Sequence, residues 1–435
     1  MMDHGALPLS VTRFGAIGDG IVSNTLAIRR AMDALAVAGG GRLRFPAGLW
    51  LTGSIFLRDN IALEFDPGAV IAGSPDPAEY PIVETRWEGR TRPAHAALIH
   101  ADGASNVSVT GPGLIDGRGA HWWRRFREGS LDFPRPRLIA LENCDNVILR
   151  DFRAADSPGW TIHPVRCRDL VISGISIDNP PDSPNTDGIN PDSCSRVRIS
   201  GCRVSVGDDC ITIKAGCESE DPALAAPCES IVISDCILER GHGAIVIGSE
   251  MSGGVRDIVV SNCVFDGTDR GIRMKSRRGR GGRVERIRIA NIVMNDVLVP
   301  FTMNMHYVCG ARGDLSVSTR EALPVGSGTP SFSDISVSGV VATGVRIAAC
   351  HIEGLAESPV ENLSLTDIDV AVGGDHEPAE PEMSEGIPLR ARAGFVFSNV
   401  RGLWLDKVRV RGQDGPGFSL ESCADVHVSS CHPGI

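Results

Sequence analysis

One seven-residue pattern recurs along the chain and limits what it can fold into. It runs polar, apolar, any residue, apolar, two turn formers, apolar. It reads Asp169-Leu170-Val171-Ile172-Ser173-Gly174-Ile175, then Arg196-Val197-Arg198-Ile199-Ser200-Gly201-Cys202. It returns from Ser230 to Cys236 and from Asp257 to Cys263. Asn106-Val107 and Asn146-Val147 begin it; Arg286-Ile287, Asp334-Ile335, Asn362-Leu363 and Asp425-Val426 continue it. The first apolar positions Leu170, Val197, Ile231, Ile258 and Ile287 are spaced by 27, 34, 27 and 29 residues. Each unit is a short period-2 strand with a turn. Alone it buries nothing, but stacked on its neighbours it shares one continuous core. The expectation is an all-β, single-stranded, right-handed parallel β-helix (a solenoid). A prior of about 150 residues per domain would cut the chain in three. The repeat favours a single domain instead, with a cap segment over 1–50 and the β-helix over 51–435.

The N-terminal segment departs from the repeat. From Asn24 to Ala38 the residues Leu26, Ile28, Ala31, Met32 and Leu35 lie largely on one helical face. Ser23 or Asn24 stands at the N-cap and Gly39-Gly40-Gly41 at the stop. This helix is expected to plug the open end of the solenoid. The stretches Gly310 to Pro330 and Gly373 to Pro388 are polar, rich in Gly, Pro and acid, and read as long loops. Ala215 to Pro227 reads as an insertion able to wall off one end of a groove.

A second strand register keeps step with the first. Asp187-Gly188-Ile189 aligns with Asp209-Cys210-Ile211, Gly243-Ala244-Ile245 and Arg270-Gly271-Ile272. From Ile211 to Ile245 to Ile272 the steps are 34 and 27, as they are from Val197 to Ile231 to Ile258. Neighbouring coils lie about 4.8 Å apart, so Asp187 is expected beside Asp209, and His242 beside Asp208. Arg273 and Lys275 are two residues apart on one strand face, opposite an inward Ile272 and Met274. Gly207 precedes the two acids and offers a turn that would let both face the same groove. Like charges this close cannot all ionise, so one carboxyl should keep its proton to higher pH. A proton donor beside ionised carboxylates is what acid–base glycoside hydrolysis needs.

Composition narrows the partners. The chain is 42% apolar and 22% charged, which excludes a disordered chain. No apolar run approaches membrane-spanning length. The net charge of −11 argues against nucleic acid. Over residues 270–288, nine basic side chains face one acid, Glu285, a local stripe suited to a polyanion. Within it Arg277, Arg278 and Arg280 lie on the Gly-rich loop after Lys275 and are candidates for substrate contact. Trp160 and His163 could flank a sugar, although Trp160 is the more natural core residue. The thirteen cysteines form no Cys-x-x-Cys pair and most fall at small apolar positions of the repeat, such as Cys202, Cys236 and Cys263, so reduced core thiols are expected rather than metal ligands or disulfides. The first residues, Met1 to Pro8, lack a basic head and an apolar stretch. They point to a cytoplasmic chain, or to a periplasmic or secreted form whose leader was trimmed.

The segments Asn185-Thr186-Asp187, Gly207-Asp208-Asp209, Gly241-His242-Gly243 and Arg273-Met274-Lys275 resemble, in order, the markers of the polygalacturonase-like glycoside hydrolases, family 28. Phe14 to Gly20 and Gly39 to Pro46 are similar to that family's N-terminal cap, and the likeness covers roughly residues 11 to 310. The resemblance implies inverting hydrolysis of galacturonate-containing pectic oligo- or polysaccharides. In that reading Asp208 is the general acid, and Asp187 and Asp209 activate the water. His242 sets the protonation of Asp208, while Arg273 and Lys275 grip a galacturonate carboxylate. An inverter should hold acid and base about 6.5–9.5 Å apart. Asn185 and Tyr307 join the substrate contacts, Tyr307 being the one candidate for the family's tyrosine downstream of Arg-x-Lys. No metal or other cofactor is implied. Walls around the groove favour removal of terminal sugars, and so an exo-acting enzyme. The alternatives are a rhamnogalacturonan hydrolase of the same family, a calcium-dependent pectate lyase on the same fold, and a non-catalytic glycan-binding solenoid. Oligomeric state is left open.

Overall fold

The computed structural model describes residues 7–216, 225–374 and 376–433. Met1 to Ala6, most of the insertion between Ala215 and Pro227, and Asp375 in the second loop lie outside the described residues. The chain divides into two compact units, residues 1–208 and 209–435.

In the first unit the repeated strand stacks in parallel through Gly41–Phe45, Ile61–Phe65, Ser105–Thr110, Asp145–Arg150, Arg168–Ser173 and Ser195–Ser200. A second ladder runs from Gly48–Thr52 to Arg203–Ser205. A third joins Ile55–Phe56, Ile99–Asp102, Ile139–Glu142 and Ile162–Val165. In the second unit one ladder runs from Cys228–Ser234 to Ala424–Ser429. The other is a seven-stranded parallel sheet: Asp209–Ile213, Gly243–Gly248, Arg270–Lys275, Val299–Asn304, Ala348–Glu353, Ala393–Ser398 and Phe418–Glu421. Both units are stretches of parallel β-helix.

The seven-residue pattern has a backbone cause. Its leading polar residue is left-handed in every copy, from Asn106 and Asn146 through Asp169, Arg196, Ser230, Asp257, Arg286, Asp334 and Asn362 to Asp425, with φ between 53° and 59°. The second turn former is left-handed too, as at Gly174, Gly201, Asp235 and Asn262. Asn, Asp and Gly tolerate that conformation best. The strand between the two kinks alternates, so Val107, Val147, Leu170 and Val197 stack in the first unit and Ile231, Ile258, Ile287, Ile335, Leu363 and Leu403 in the second, all buried. Each such side chain contributes about 1.5–3 kcal/mol of burial. Outside, the polar residues tie coil to coil: Asn146 donates to Asn106 and Asn106 to Asn60 at 2.7 and 2.9 Å, while Arg196 pairs with Asp169 and Arg286 with Asp257.

The thiols follow the same logic. Cys144, Cys167 and Cys194 are buried, and each S–H donates to the carbonyl two residues before it; Cys236 and Cys263 repeat the contact. Every cysteine among the described residues is free.

The N-terminal helix spans Thr25–Val37 and buries Ala27, Ile28, Ala31, Met32 and Leu35. Leu26 is exposed rather than on that face. Asn24 occupies the N-cap but does not cap; its buried carboxamide bonds Ile17, Val22 and Leu51 and so ties the Phe14–Gly20 turn to the first coil. Two elements escaped the sequence reading. A helix at Ala120–Arg127 buries Trp122 and Trp123, and an antiparallel hairpin pairs Ile82–Trp87 with Arg90–His95. The helix has only two turns, too few for its period to stand out.

Candidate active site

In the first unit the acids are set by a tightly bonded turn. Thr186 is buried; its hydroxyl donates to Ser183 O and accepts the Gly207 N–H at 3.2 Å. A Cβ at Gly207 would lie 2.4 Å from Ser183 O, so only glycine lets the two segments meet. That contact brings the two motifs together: a carboxylate oxygen of Asp187 lies within 4.8 Å of one of Asp208. This is closer than the spacing expected of an inverter. Asp187 is buried, Asn190 Nδ2 donates to its Oδ2 at 2.9 Å, and Asp208 is half-buried. Two acids so placed could share a proton or hold a cation. Asn185 stands two residues earlier, left-handed at φ 51°, with its Oδ1 accepting from the buried Arg135 at 2.8 Å. Arg135 also donates to Pro158 O and Pro184 O and stacks on Phe126. Burial lowers its pKa to about 10. It is a support that sequence reasoning missed.

The hairpin is anchored beside this turn. Arg86 pairs with Asp192 at 2.7 Å, both fully buried. Arg137 donates to Arg86 O and to His163 Nδ1 at 2.7 and 2.8 Å. Burial lowers the pKa of His163 to about 4, which keeps the ring neutral and its Nδ1 an acceptor. Trp87 of the hairpin stacks on Trp160. Trp160 is therefore buried as the alternative reading had it. His163 is not a sugar-flanking residue, because it sits wholly within this anchor.

In the second unit, one face of the seven-stranded sheet carries the charges. Ile272 and Met274 point into the core, and Arg273 and Lys275 point out, as the alternation requires. Asp209 receives both: Arg273 Nη1 on Oδ1 at 3.2 Å and Lys275 Nζ on Oδ2 at 2.7 Å. A Cβ at Gly243 would sit 3.1 Å from Asp209 Oδ1, so the second glycine of Gly-His-Gly clears space for this pair. Tyr307 is buried beside them, its ring centre 5.2 Å from Lys275 Nζ and 5.7 Å from Arg273 Cζ. Burial raises its hydroxyl pKa. His242 is exposed on the turn before Gly243.

One partner was not foreseen. Glu382, from the second long loop, is fully buried and clasps Arg273 bidentately, Nε to Oε2 at 2.7 Å and Nη2 to Oε1 at 2.5 Å. Burial opposes its ionisation, but the Arg273 guanidinium overrides that and holds the carboxyl well below the usual range. The loop is crowded with acids, and nothing in its composition marks this one. The available signal was the arithmetic of two cations facing one acid on a buried face.

Arg278 does not extend the site. Its guanidinium pairs with Glu357 and donates to Ser316 O, Thr319 O and Glu321 O, which makes it a strut for the first long loop. Arg280 lies 3.8 Å from Glu250, which Lys214 also holds. The basic stripe is likewise divided, since Arg286 pairs with Asp257 and Glu285, and Arg288 with Asp334, on the other ladder.

Known proteins are similar to this chain in sequence and fold. A probable polygalacturonase of Vitis vinifera is 35% identical over 371 residues, 83% of this chain and 74% of that protein. An exo-poly-alpha-D-galacturonosidase of Dickeya chrysanthemi is 26% identical, over 66% of this chain and 55% of its own. Among solved structures, a hyperthermoactive exopolygalacturonase from Thermotoga maritima matches with a TM-score of 0.76 at 29% identity, over 92% of each chain. Residues 82–384 match the glycosyl hydrolases family 28. The chain belongs to that family, and it is a glycoside hydrolase.

Proposed function

We propose that the protein removes terminal galacturonate from pectic oligosaccharides, with Asp208 as general acid and Asp187 and Asp209 as the pair that activates water. The observation that carries this reading is the spacing of Asp187 and Asp208, within 4.8 Å. Two carboxyls that close repel when both are ionised, so one holds a proton near neutrality and can give it to the leaving oxygen. Asp209, next in the chain to Asp208, accepts hydrogen bonds from Arg273 and Lys275. Lys275 offers a charge to a sugar carboxylate, and His242, on its exposed turn, tunes the acid. Inversion rests on the family resemblance, and the stereochemistry of the first product tests it.

Exo action has support in each unit. In the first, the hairpin stands over the outer face of the third ladder, fixed by Arg86 and Asp192. In the second, residues 379–385 cross the sheet face directly over Thr302 and Asn304, the coil after Arg273 and Lys275. Barriers on a binding face favour a chain end over a chain middle. The names of the Dickeya and Thermotoga relatives agree.

The test is product analysis on defined galacturonate and rhamnogalacturonan oligomers, with the anomer followed by NMR. Release of monomeric galacturonate of inverted configuration is expected, unaffected by EDTA. Asp208→Asn should lower kcat by a factor of about 10³ or more without moving the melting temperature. Unsaturated products lost on chelation would establish a lyase instead.

A further inference from the structure

Family resemblance gives Arg273 and Lys275 one shared duty, but their surroundings differ. Arg273 presents its guanidinium to a buried site. The Nε and Nη2 edge is filled by Glu382, and Nη1 reaches Asp209. Glu382 is itself saturated. Its Oε1 also accepts the Met383 N–H at 2.8 Å, and its Oε2 accepts Thr302 Oγ1 at 3.3 Å. The strap that delivers it is tied down on both sides. Arg270 donates to Glu380 O and Pro381 O; Met383 O accepts from Asn304 Nδ2 and Val308 N. Further along, Ser384 Oγ and Glu385 O accept from Arg320.

A sugar carboxylate could take the fork of Arg273 only by expelling Glu382. That would strip a buried carboxylate of its bidentate partner, which is strongly unfavourable. Lys275 is less fully engaged. Its Nζ has three donors and gives one to Asp209, with the Tyr307 ring alongside.

We infer that Glu382 is a positioning residue: it locks Arg273 so that Arg273 orients Asp209, and it leaves Lys275 as the cation that recognises the substrate's carboxylate. This rests on the roles proposed above for Asp209 and Lys275.

The experiment compares Glu382→Gln and Lys275→Met in the full chain. The wild type is assayed first on trigalacturonate; no release of galacturonate would overturn the functional reading itself. With an active wild type, Glu382→Gln is expected to lower kcat at least tenfold and leave KM within about threefold. Lys275→Met is expected to raise KM at least tenfold. The same division should appear without turnover. In an Asp208→Asn background, the Kd for trigalacturonate should be kept by Glu382→Gln and weakened by Lys275→Met. A Glu382→Gln variant that loses KM and Kd as Lys275→Met does would make Arg273 a substrate ligand and overturn the assignment. If Glu382→Gln fails to fold, Thr302→Val removes one of the four donors to Glu382 and is read in the same way. A fall in kcat with KM unchanged supports the assignment, and a rise in KM with kcat unchanged sinks it.

Discussion

Two glycines do as much for the candidate site as the charged residues they flank. Gly207 admits Ser183 O to a distance no side chain tolerates, and Gly243 leaves room for Asp209 against Arg273. A methyl group at Gly243 would press on Val246 at 2.5 Å and on Asp209 at 3.1 Å. Gly243→Ala is therefore expected to displace Asp209 and reduce kcat by about 10- to 100-fold, since small misplacements of reacting groups are costly. Overpacking should cost about 1–3 kcal/mol in stability. Steady-state kinetics beside a urea melt separates the two. A variant with wild-type kcat would show that the carboxylate tolerates movement. That Arg273 and Lys275 face Asp209 was legible in the sequence because the coil repeat fixes which residues of the second unit's sheet stand next to each other. Glu382 was not, because it reaches the site through an irregular loop that no period governs. Arg278 misled because proximity in sequence to Lys275 says nothing of where a long side chain on a Gly-rich loop finds its acid.

At the scale of elements, the hairpin at residues 82–95 hangs on a buried cluster with its own pH response. The pKa values of His163 and His100 are both lowered to about 4, chiefly by burial, from an ordinary 6.5. The unfolded chain therefore binds more protons than the folded one between those values. Stability is full above pH 6.5 and falls as the pH drops toward 4. For His163 alone the loss amounts to about 3 kcal/mol. Thermal melts from pH 7.5 to 4 should show the wild type losing stability over this window, with His163→Gln giving a flatter profile. Equal slopes in the two would mean that the imidazole is not the titrating group. Sequence reasoning had no access to this cluster. Arg86, Arg137 and Asp192 look like ordinary surface charges until the hairpin folds over them.

Across the whole chain, the repeat reduces stability to contacts between adjacent coils. Ile258 is buried between Ile231 and Ile287 in one ladder. Ile258→Ala is expected to cost about 2–5 kcal/mol, measured by urea unfolding. The same melt should be indifferent to dithiothreitol, since the described thiols are all free. A reductant-sensitive melt would require a disulfide among them. The fold class could be read from the sequence because the left-handed kinks recur with the apolar positions. The hairpin and the loop anchors could not, since each occurs once.

The sulfur atoms distributed along the coils have one more consequence. Cys309 is exposed, while Cys144, Cys167, Cys194, Cys236, Cys263 and Cys350 are sealed at intervals from one unit to the other. An alkylating reagent should reach each sealed sulfur only when its own turn of the spiral comes open. The protein thus carries a row of native clocks, whose separate ticking rates would record where it begins to come apart.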